Sequence, residues 1–362
     1  MNILIIGQGL AGTVLGFTLL KRGHKIQIYD QPFELSSTRV AAGLFNPITG
    51  MRRQKTWLAE SLFPYLKTFY SELQNQLKVN FFHELPIFMP FSSVENQNEW
   101  MAKSGETYWK QWMKIADDPL ELNGAVYNAY GGMLTQNSGW LDTKLFLDTC
   151  TKHFKELGVY TQKHVDESDI LIHDDFVIYD TQKYDKVIFC NGLGAANSSY
   201  FSWLNHAHVK GDVFEIECES LRKDMAVNKN GFILPLPNGT FKAGSTYNNF
   251  FTDPWTVTPE GYNELHEKIS NILNVPFKIV KHIAATRPAT KDRKPLLGNN
   301  PDFKNVLIFN GLGTKGVSLA PYLANHFVNY LENKEALMPE VNVNRCLKHF
   351  KSNLKSNFNS EL

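Results

Sequence analysis

The chain predicts an α/β protein in which a parallel sheet is interleaved in sequence with a second, α+β domain. Three stretches carry that expectation. Ile3-Leu4-Ile5-Ile6-Gly7-Gln8-Gly9-Leu10-Ala11-Gly12 runs through an apolar helical pattern to Leu20 and then into Ile26-Gln27-Ile28-Tyr29-Asp30, a complete βαβ unit. Lys186-Val187-Ile188-Phe189-Cys190-Asn191-Gly192 reads as a buried parallel strand ending in a glycine turn. Asn305 to Asn310 reads as a strand, Gly311 to Gly316 as a glycine loop and Val317 to Leu331 as a helix. The chain thus returns twice to one sheet, and a Rossmann-like FAD/NAD(P)-binding domain is expected from segments 1–50, 142–204 and 285–340. Segments 51–141 and 205–284 form the second domain, and 341–362 a tail.

The first unit is read residue by residue. Gly7 permits the tight turn out of the strand, Gly9 lets backbone approach a pyrophosphate, and Gly12 brings helix and sheet together. Orphan N–H groups and the positive end of the helix dipole then suit phosphate. Asp30, at the tip of the second strand, can accept from ribose hydroxyls, and no basic residue follows it immediately, which disfavours NADP. Ser36 to Pro47 is a loop of small residues able to pass close to something flat. Beyond it, Trp57 to Leu77 and Trp100 to Ile115 show helical spacing. Phe81 to Phe91 and Gly132 to Leu141 read as strands, Thr143 to Leu157 as a helix capped by Asp142, and Val159 to Tyr179 as a β-meander. A β-rich block spans Val209 to Tyr247 with a turn at Pro237-Asn238-Gly239, and a helix runs near Pro259 to Leu273.

Composition excludes several classes. With 37 basic and 36 acidic side chains in 362 residues, the bulk charge offers no field for nucleic acid or an anionic membrane. No stretch approaches the ~20 apolar residues of a membrane span, and a protein without a signal peptide, in a reducing cytoplasm, is expected. Cys150, Cys190, Cys218 and Cys346 are scattered without paired spacing, so neither a metal site nor a disulfide framework is expected. Arg52, Arg53, Lys55 and Trp57 read first as a solvated loop and second as a place for a larger anionic substrate. The basic C-terminal residues Arg345, Lys348, Lys351 and Lys355 read as a frayed tail.

The C-terminal motifs separate FAD from NAD. Arg287-Pro288-Ala289-Thr290-Lys291-Asp292-Arg293-Lys294-Pro295-Leu296-Leu297-Gly298 resembles the RPxTxDxxPxxG stretch of the D-amino-acid oxidase family of flavoproteins, glycine oxidases in particular. Gly311 to Pro321 resembles the glycine-rich flavin loop of that family, and Gly231 to Thr246, with Lys210-Gly211-Asp212 before it, its substrate-domain hairpin. The resemblance spans nearly the whole chain and implies non-covalent FAD, since no cysteine stands at the glycine loop. It places Gly7, Gly9, Leu10, Ala11 and Gly12 at the pyrophosphate, Asp30 and Gln31 at the adenosine ribose, Val165 at adenine, and Ser37 and Thr38 at phosphate or ribityl groups. Ala42, Gly43 and Leu44 lie along the isoalloxazine. Gly192 and the run Leu312, Gly313, Thr314, Lys315, Gly316, Val317 and Ser318 close the other side. Arg287 is implied as a two-pronged holder of a substrate carboxylate, with Phe232, Thr314 and Lys315 around it.

The implied chemistry is loss of a hydride from an amine carbon to flavin N5, giving an imine that water hydrolyses, with no side-chain base required. The chain departs from glycine oxidases where Phe232 replaces a tyrosine and Thr314 an arginine, which makes glycine itself doubtful. Gly313-Thr314-Lys315-Gly316 is closer to the Gly-Ser-Arg-Gly type in the oxidase domain of the bifunctional tRNA wobble-uridine-modifying enzymes, whose substrate is a secondary amine bearing a carboxymethyl group. The expected partners are a small amine or amino acid and O2 or another electron acceptor. A tRNA-borne amine is kept as the alternative, with an NAD-linked dehydrogenase and a sensory flavoprotein as rivals. No membrane partner is expected, and the pattern does not specify an oligomeric state.

Overall fold

The computed structural model describes residues 1–50, 53–116, 124–348 and 350. One sheet has six strands in the spatial order Tyr160–Gln162, Lys25–Asp30, Asn2–Ile6, Lys186–Phe189, Val306–Asn310 and Leu296–Asn299. The first five are mutually parallel and the last is antiparallel. Ile3, Leu4, Ile5, Val187, Ile188, Phe189 and Val306 through Phe309 are all fully buried. Covered on both faces, such strands read as unbroken apolar runs rather than alternating ones. On one face lie the helices Leu10–Lys21, Gly316–Leu331 and, beyond them, Ala59–Leu77. The other face is covered by Val177, Tyr179, Tyr184, Phe201 and Trp203.

The second sheet has eight strands, ordered Lys278–Arg287, Val209–Glu217, Phe241–Gly244, Phe232–Pro235, Ala226–Asn228, Ile87–Pro90, Gly132–Thr135 and Met113–Ile115. It is antiparallel except where Ala226–Asn228 meets Ile87–Pro90. The helix Pro259–Ser270, capped by Thr258, buries Leu265 and Ile269 against Phe214 and Ile216 on one face. Through strand alternation the opposite face presents Val213, Ile283, Ala285 and Phe232, which pack on Val40 and Leu35 of the nucleotide-sheet loop. The two sheets therefore meet around residues 35–44, where the small-residue loop was read.

The structure divides several segments that the sequence presents as single elements. Trp100 to Ile115 is not one helix: Val94–Ser104 ends at Gly105, a short turn Thr107–Lys110 follows, and Met113–Ile115 joins the large sheet. The tryptophans mimic helical spacing because Trp100 and Trp112 enter one core from different elements. Gly132 to Leu141 breaks at Asn137, which takes φ 53, so Gly132–Thr135 and Gly139–Leu141 belong to different sheets. Phe81 to Phe91 likewise splits into Phe82–Glu84 and Ile87–Pro90. Tyr160–Gln162 is the edge of the parallel sheet rather than part of a meander; the meander is 171–184. The first residues of the expected tail are packed, with Val341, Val343 and Cys346 buried and Arg345 paired to Asp292 at 2.7 Å. Lys351, Lys355 and Arg52 lie outside the described residues.

Gly12 shows how little freedom the first turn has, because a Cβ built there falls 1.9 Å from the carbonyl oxygen of Gly7. Backbone faces backbone, so neither partner can yield cheaply. Gly12→Ala is expected to cost on the order of 2 kcal/mol or more. A thermal-melt comparison with the parent protein, expected to show a lower midpoint, checks this.

Candidate active site

The order of the parallel sheet reverses between Asn2–Ile6 and Lys186–Phe189, because the chain builds outward from the first strand in one direction and then returns to its other side. Open α/β sheets hold ligands in the crevice beyond the strand ends at such a point. Gly7 leaves the first strand at φ +95, its N–H on Tyr29 O at 2.8 Å; a Cβ there would meet Cys190 O at 2.8 Å. Gly9 begins the helix with no side-chain cap, and Leu10 and Ala11 follow it in the first turn. Thr38 reaches this helix end, its Oγ1 accepting from Leu10 N at 3.1 Å. Asp30 closes the second strand with Oδ1 on Gln8 N at 2.9 Å, and Gln31 beside it is exposed. Burial pushes the Asp30 carboxyl up, against the opposing pull of the Gln8 N–H and Arg39. Gly192, at φ +57, offers its carbonyl to Asn310 Nδ2 at 2.9 Å, and Val165 packs half-buried on the Tyr29 and Tyr179 side.

The loop after Thr38 passes beneath the second sheet. Gly43 takes φ +70, and a Cβ there would sit 1.9 Å from Leu141 O, so the chain between Ala42 and Leu44 is pressed flat. The Ser37 hydroxyl donates to the Thr286 carbonyl, tying the loop to the arginine strand.

The last glycine loop arrives from the far end of the sequence. Gly313, at φ +57, bonds its N–H to Pro288 O at 3.1 Å, Leu312 is buried and Thr314 is exposed. Gly316 opens the last helix, and a Cβ there would lie 2.8 Å from Leu10 Cδ2. The two glycine motifs are therefore in direct contact. Val317 O takes the Tyr70 hydroxyl at 3.1 Å and Ser318 Oγ donates to Lys315 O at 3.0 Å. Neither helix N-terminus carries a side-chain cap or an acid in its first turn. Three other helices of this chain are capped by Ser93, Asp142 and Thr258. Two uncapped, positively polarised helix ends in one glycine-lined crevice fit a dinucleotide diphosphate at one end and an electron-rich ring system at the other.

Arg287 ends the strand Lys278–Arg287 on the face that looks at this crevice. Its guanidinium lies across Gly211, where a Cβ would come within 2.3 Å of Nη2. Nη2 donates to Ser245 Oγ at 2.6 Å and Nη1 to Thr246 O at 3.4 Å, and the ring of Tyr247 lies 4.7 Å from the guanidinium carbon. Among the described residues no carboxylate lies within ion-pair distance of Arg287. Burial pulls its guanidinium below the usual arginine range, with Tyr247 and Asp212 opposing. Phe232 sits on the same sheet face, three strands away. Lys315 sends Nζ to Thr56 Oγ1 at 3.3 Å and also lacks a carboxylate among the described residues. Burial lowers its pKa, helped by the nearby charges of Lys294 and Arg293.

Behind Arg287 stands a network that sequence reading did not single out. Asp212, 4 % exposed, takes the Thr246 hydroxyl at 2.9 Å and His282 Nε2 at 2.8 Å, while Thr246 Oγ1 takes the Asp212 N–H at 2.8 Å. It fixes the residue whose carbonyl holds one arm of the arginine. The earlier basic cluster is used differently. Arg53 is buried, donating to the Pro90 carbonyl with its guanidinium 5.2 Å over Phe91, and Lys55 is paired to Glu60. Trp57 carries Lys294 Nζ 3.7 Å over its ring.

Fold and crevice join a parallel sheet with two glycine-lined helix ends to a second sheet that carries Arg287. The chain belongs to the family described as FAD dependent oxidoreductase (DAO), which matches residues 2–330. It is accordingly an FAD-dependent oxidoreductase, and FAD is its cofactor. It is 23% identical over 373 residues to the tRNA 5-methylaminomethyl-2-thiouridine biosynthesis bifunctional protein of Marinobacter nauticus, covering 93% of this chain and 56% of that protein. The chain thus spans about half the length of the curated relatives it matches. Among solved structures it is similar to iminodiacetate oxidase from Chelativorans sp. BNC1, with TM-score 0.78, 18% identity and coverage of 93% and 97% of the two chains. It is also similar to glycine oxidase from Bacillus cereus, with TM-score 0.73, 20% identity and coverage of 92% and 96%. No helix among the described residues is long and apolar enough to cross a membrane.

Two expected outcomes follow from this geometry. Cys150, Cys190, Cys218 and Cys346 are buried and none lies in the 311–318 loop, so acid denaturation releases free FAD into the supernatant rather than leaving flavin on the precipitate. Asp212→Ala loosens Thr246 and raises substrate KM about five- to tenfold with little change in kcat, an effect the size of one lost hydrogen bond. Asp212→Asn, which keeps an acceptor for the Thr246 hydroxyl, recovers part of it.

Proposed function

We propose that this protein oxidises the C–N bond of an amine that carries a carboxylate, and that the favoured substrate is a secondary amine bearing a carboxymethyl group, an N-substituted glycine. The observation that carries this reading is Arg287, a half-buried guanidinium between Ser245, Thr246 and Tyr247 with no carboxylate of its own among the described residues. A desolvated cation without a counterion is costly unless a ligand supplies one. Its planar fork suits a carboxylate through two parallel bonds, and clamping the acid group orients the adjacent carbon toward the crevice. FAD, when bound, supplies the hydride acceptor. Lys315, also without a carboxylate among the described residues, adds positive charge beside the glycine loop that precedes the last helix. The substrate amine enters unprotonated, and the imine that leaves is hydrolysed by water.

The names of the similar proteins support the carboxymethyl form of this reading: one acts in biosynthesis of a methylaminomethyl uridine, and the other is an iminodiacetate oxidase. A second reading, in which the amine is borne on a tRNA base, is favoured by the two lysines Lys294 and Lys315 gathered at Trp57 and Thr56. Oxygen or another acceptor completes the cycle.

Anaerobic mixing with sarcosine, N-benzylglycine, iminodiacetate and 5-carboxymethylaminomethyluridine is expected to bleach the flavin absorbance, with glycine much slower. If D- or L-amino acids bleach it and no N-substituted glycine does, the assignment is wrong. Arg287→Ala removes charge-assisted bonds of about 1.5 to 3 kcal/mol each and is expected to raise KM roughly 100-fold while FAD stays bound. The pH profile tests Lys315. Its depressed pKa means the charge is present at lower pH and lost as pH rises through a value below that of an ordinary lysine. KM is expected to rise along that alkaline limb, and Lys315→Met to flatten the limb at the higher value.

A further inference from the structure

Beyond Thr246 the chain leaves the large sheet as a loop carrying Tyr247, Phe250, Phe251 and Trp255. Tyr247 lays its ring 4.7 Å from the Arg287 guanidinium, yet 60% of the residue remains exposed. The cation covers one face, and the rest of the ring is open to solvent. Phe250, on the same loop, is 91% exposed. Exposed aromatics on a loose loop would mean little, but this loop is held from below. Asn248 exchanges two backbone bonds with Lys210, each 2.9 Å. Lys210, 4% exposed, sends Nζ to Asp253 O at 2.9 Å and to the Thr256 carbonyl. Asp253 Oδ1 takes the N–H groups of Trp255 and Thr256, both at 2.7 Å, and Thr286 Oγ1 donates to Pro254 O at 2.7 Å. Trp255 packs edge-on against Phe33 at 5.0 Å, so its ring belongs to the foundation.

A buried lysine, an internal turn and a bond from the arginine strand thus fix a loop on which Phe251 is half-buried while the rings of Tyr247 and Phe250 stay in water. We propose that Tyr247 and Phe250 form a stacking subsite for a planar heteroaromatic ring, such as a pyrimidine, carried on the nitrogen substituent of the substrate. This rests on the reading of Arg287 as the carboxylate anchor. With the acid group on the guanidinium, the other arm of a secondary amine passes the adjoining tyrosine. The ring stacked on that guanidinium offers its outer face to it. Stacking on an aromatic side chain tolerates any planar ring, since every such ring has a π-face.

The test uses the holoenzyme and unreactive thioether acids in which sulfur replaces the amine nitrogen: (methylthio)acetate, (benzylthio)acetate and (cyclohexylmethylthio)acetate. Kd is read from perturbation of the flavin spectrum. The benzyl compound is expected to bind about tenfold or more tightly than the methyl one and several-fold more tightly than the cyclohexyl one. Tyr247→Leu and Phe250→Ala are expected to shrink both preferences, and Tyr247→Phe to keep them. Equal Kd values for benzyl and cyclohexylmethyl, or preferences untouched by Tyr247→Leu and Phe250→Ala, overturn the subsite. Flavin retention and the thermal midpoint establish that each variant is folded. Sarcosine and N-benzylglycine are run in parallel as reductants: if neither bleaches the flavin the oxidation reading fails by itself, and the thioether comparison still decides the subsite.

Discussion

The contact of Leu10 with Gly316 is the constraint on which the rest of this molecule depends. It presses the start of the first helix against the start of the last, and both ends lack the side-chain caps that other helices here possess. Uncapped N–H groups are tolerated where something else is to satisfy them. Gly7, Gly12 and Gly316 each fill a place where a Cβ would strike a neighbouring backbone or side chain, so side-chain bulk is removed on every side of the crevice. A side chain at Gly316 would push the two helix ends apart, and one at Gly7 or Gly12 would displace the turn that opens the first helix.

The second sheet answers a different demand, which is to bring a cation close to that crevice without neutralising it. Gly211 leaves the space over which Arg287 lies, Ser245 and Thr246 take its donors without adding charge, and Tyr247 covers it with a π-face. Asp212 is the nearby acid, but it sits on the opposite face of its strand and its two oxygens are engaged by Thr246 and His282. The arrangement leaves the guanidinium without an ion-pair partner among the described residues while fixing its direction. A direct ion pair to Asp212 would have stabilised the resting protein and weakened the site.

Much of this was legible in the sequence, and for identifiable reasons. The strands of the parallel sheet are covered on both faces, so their unbroken apolar runs admit one reading, and Asp142 marked its helix because a cap is a local interaction. The glycine loops and Arg287 were visible as spaced motifs. What escaped depended on contacts distant in sequence. The break at Asn137 is carried by the short turn-forming run Asn137-Ser138-Gly139 inside an otherwise strand-like segment, and the tryptophans at 100 and 112 share a core only after the chain has turned twice. The Asp212 network was hidden because Asp212, Thr246 and His282 come from three strands and meet only through register. Tyr247 was hidden similarly. The one usable signal was its place directly after the Gly-Ser-Thr that ends the hairpin.

The basic residues around the site show why a charge run is a poor guide until its partners are known. Arg53 and Lys55 stand two positions apart, yet one is buried against Pro90 and Phe91 and the other is spent on Glu60. Lys294 and Lys315, far apart in sequence and inconspicuous, converge on Trp57 and Thr56; Lys315 has no carboxylate within ion-pair distance among the described residues, while Glu340 and Asp292 lie near Lys294. Potential at a site is set by the cations left over after pairing, and here the surplus gathers along one arc from Arg287 through the last glycine loop to Trp57. That arc borders Arg287 on one side and the loop of Tyr247 borders it on the other. A substrate with one acid group and one flat substituent is the shape that uses both borders, whereas glycine would leave the aromatic side and most of the cationic arc in water.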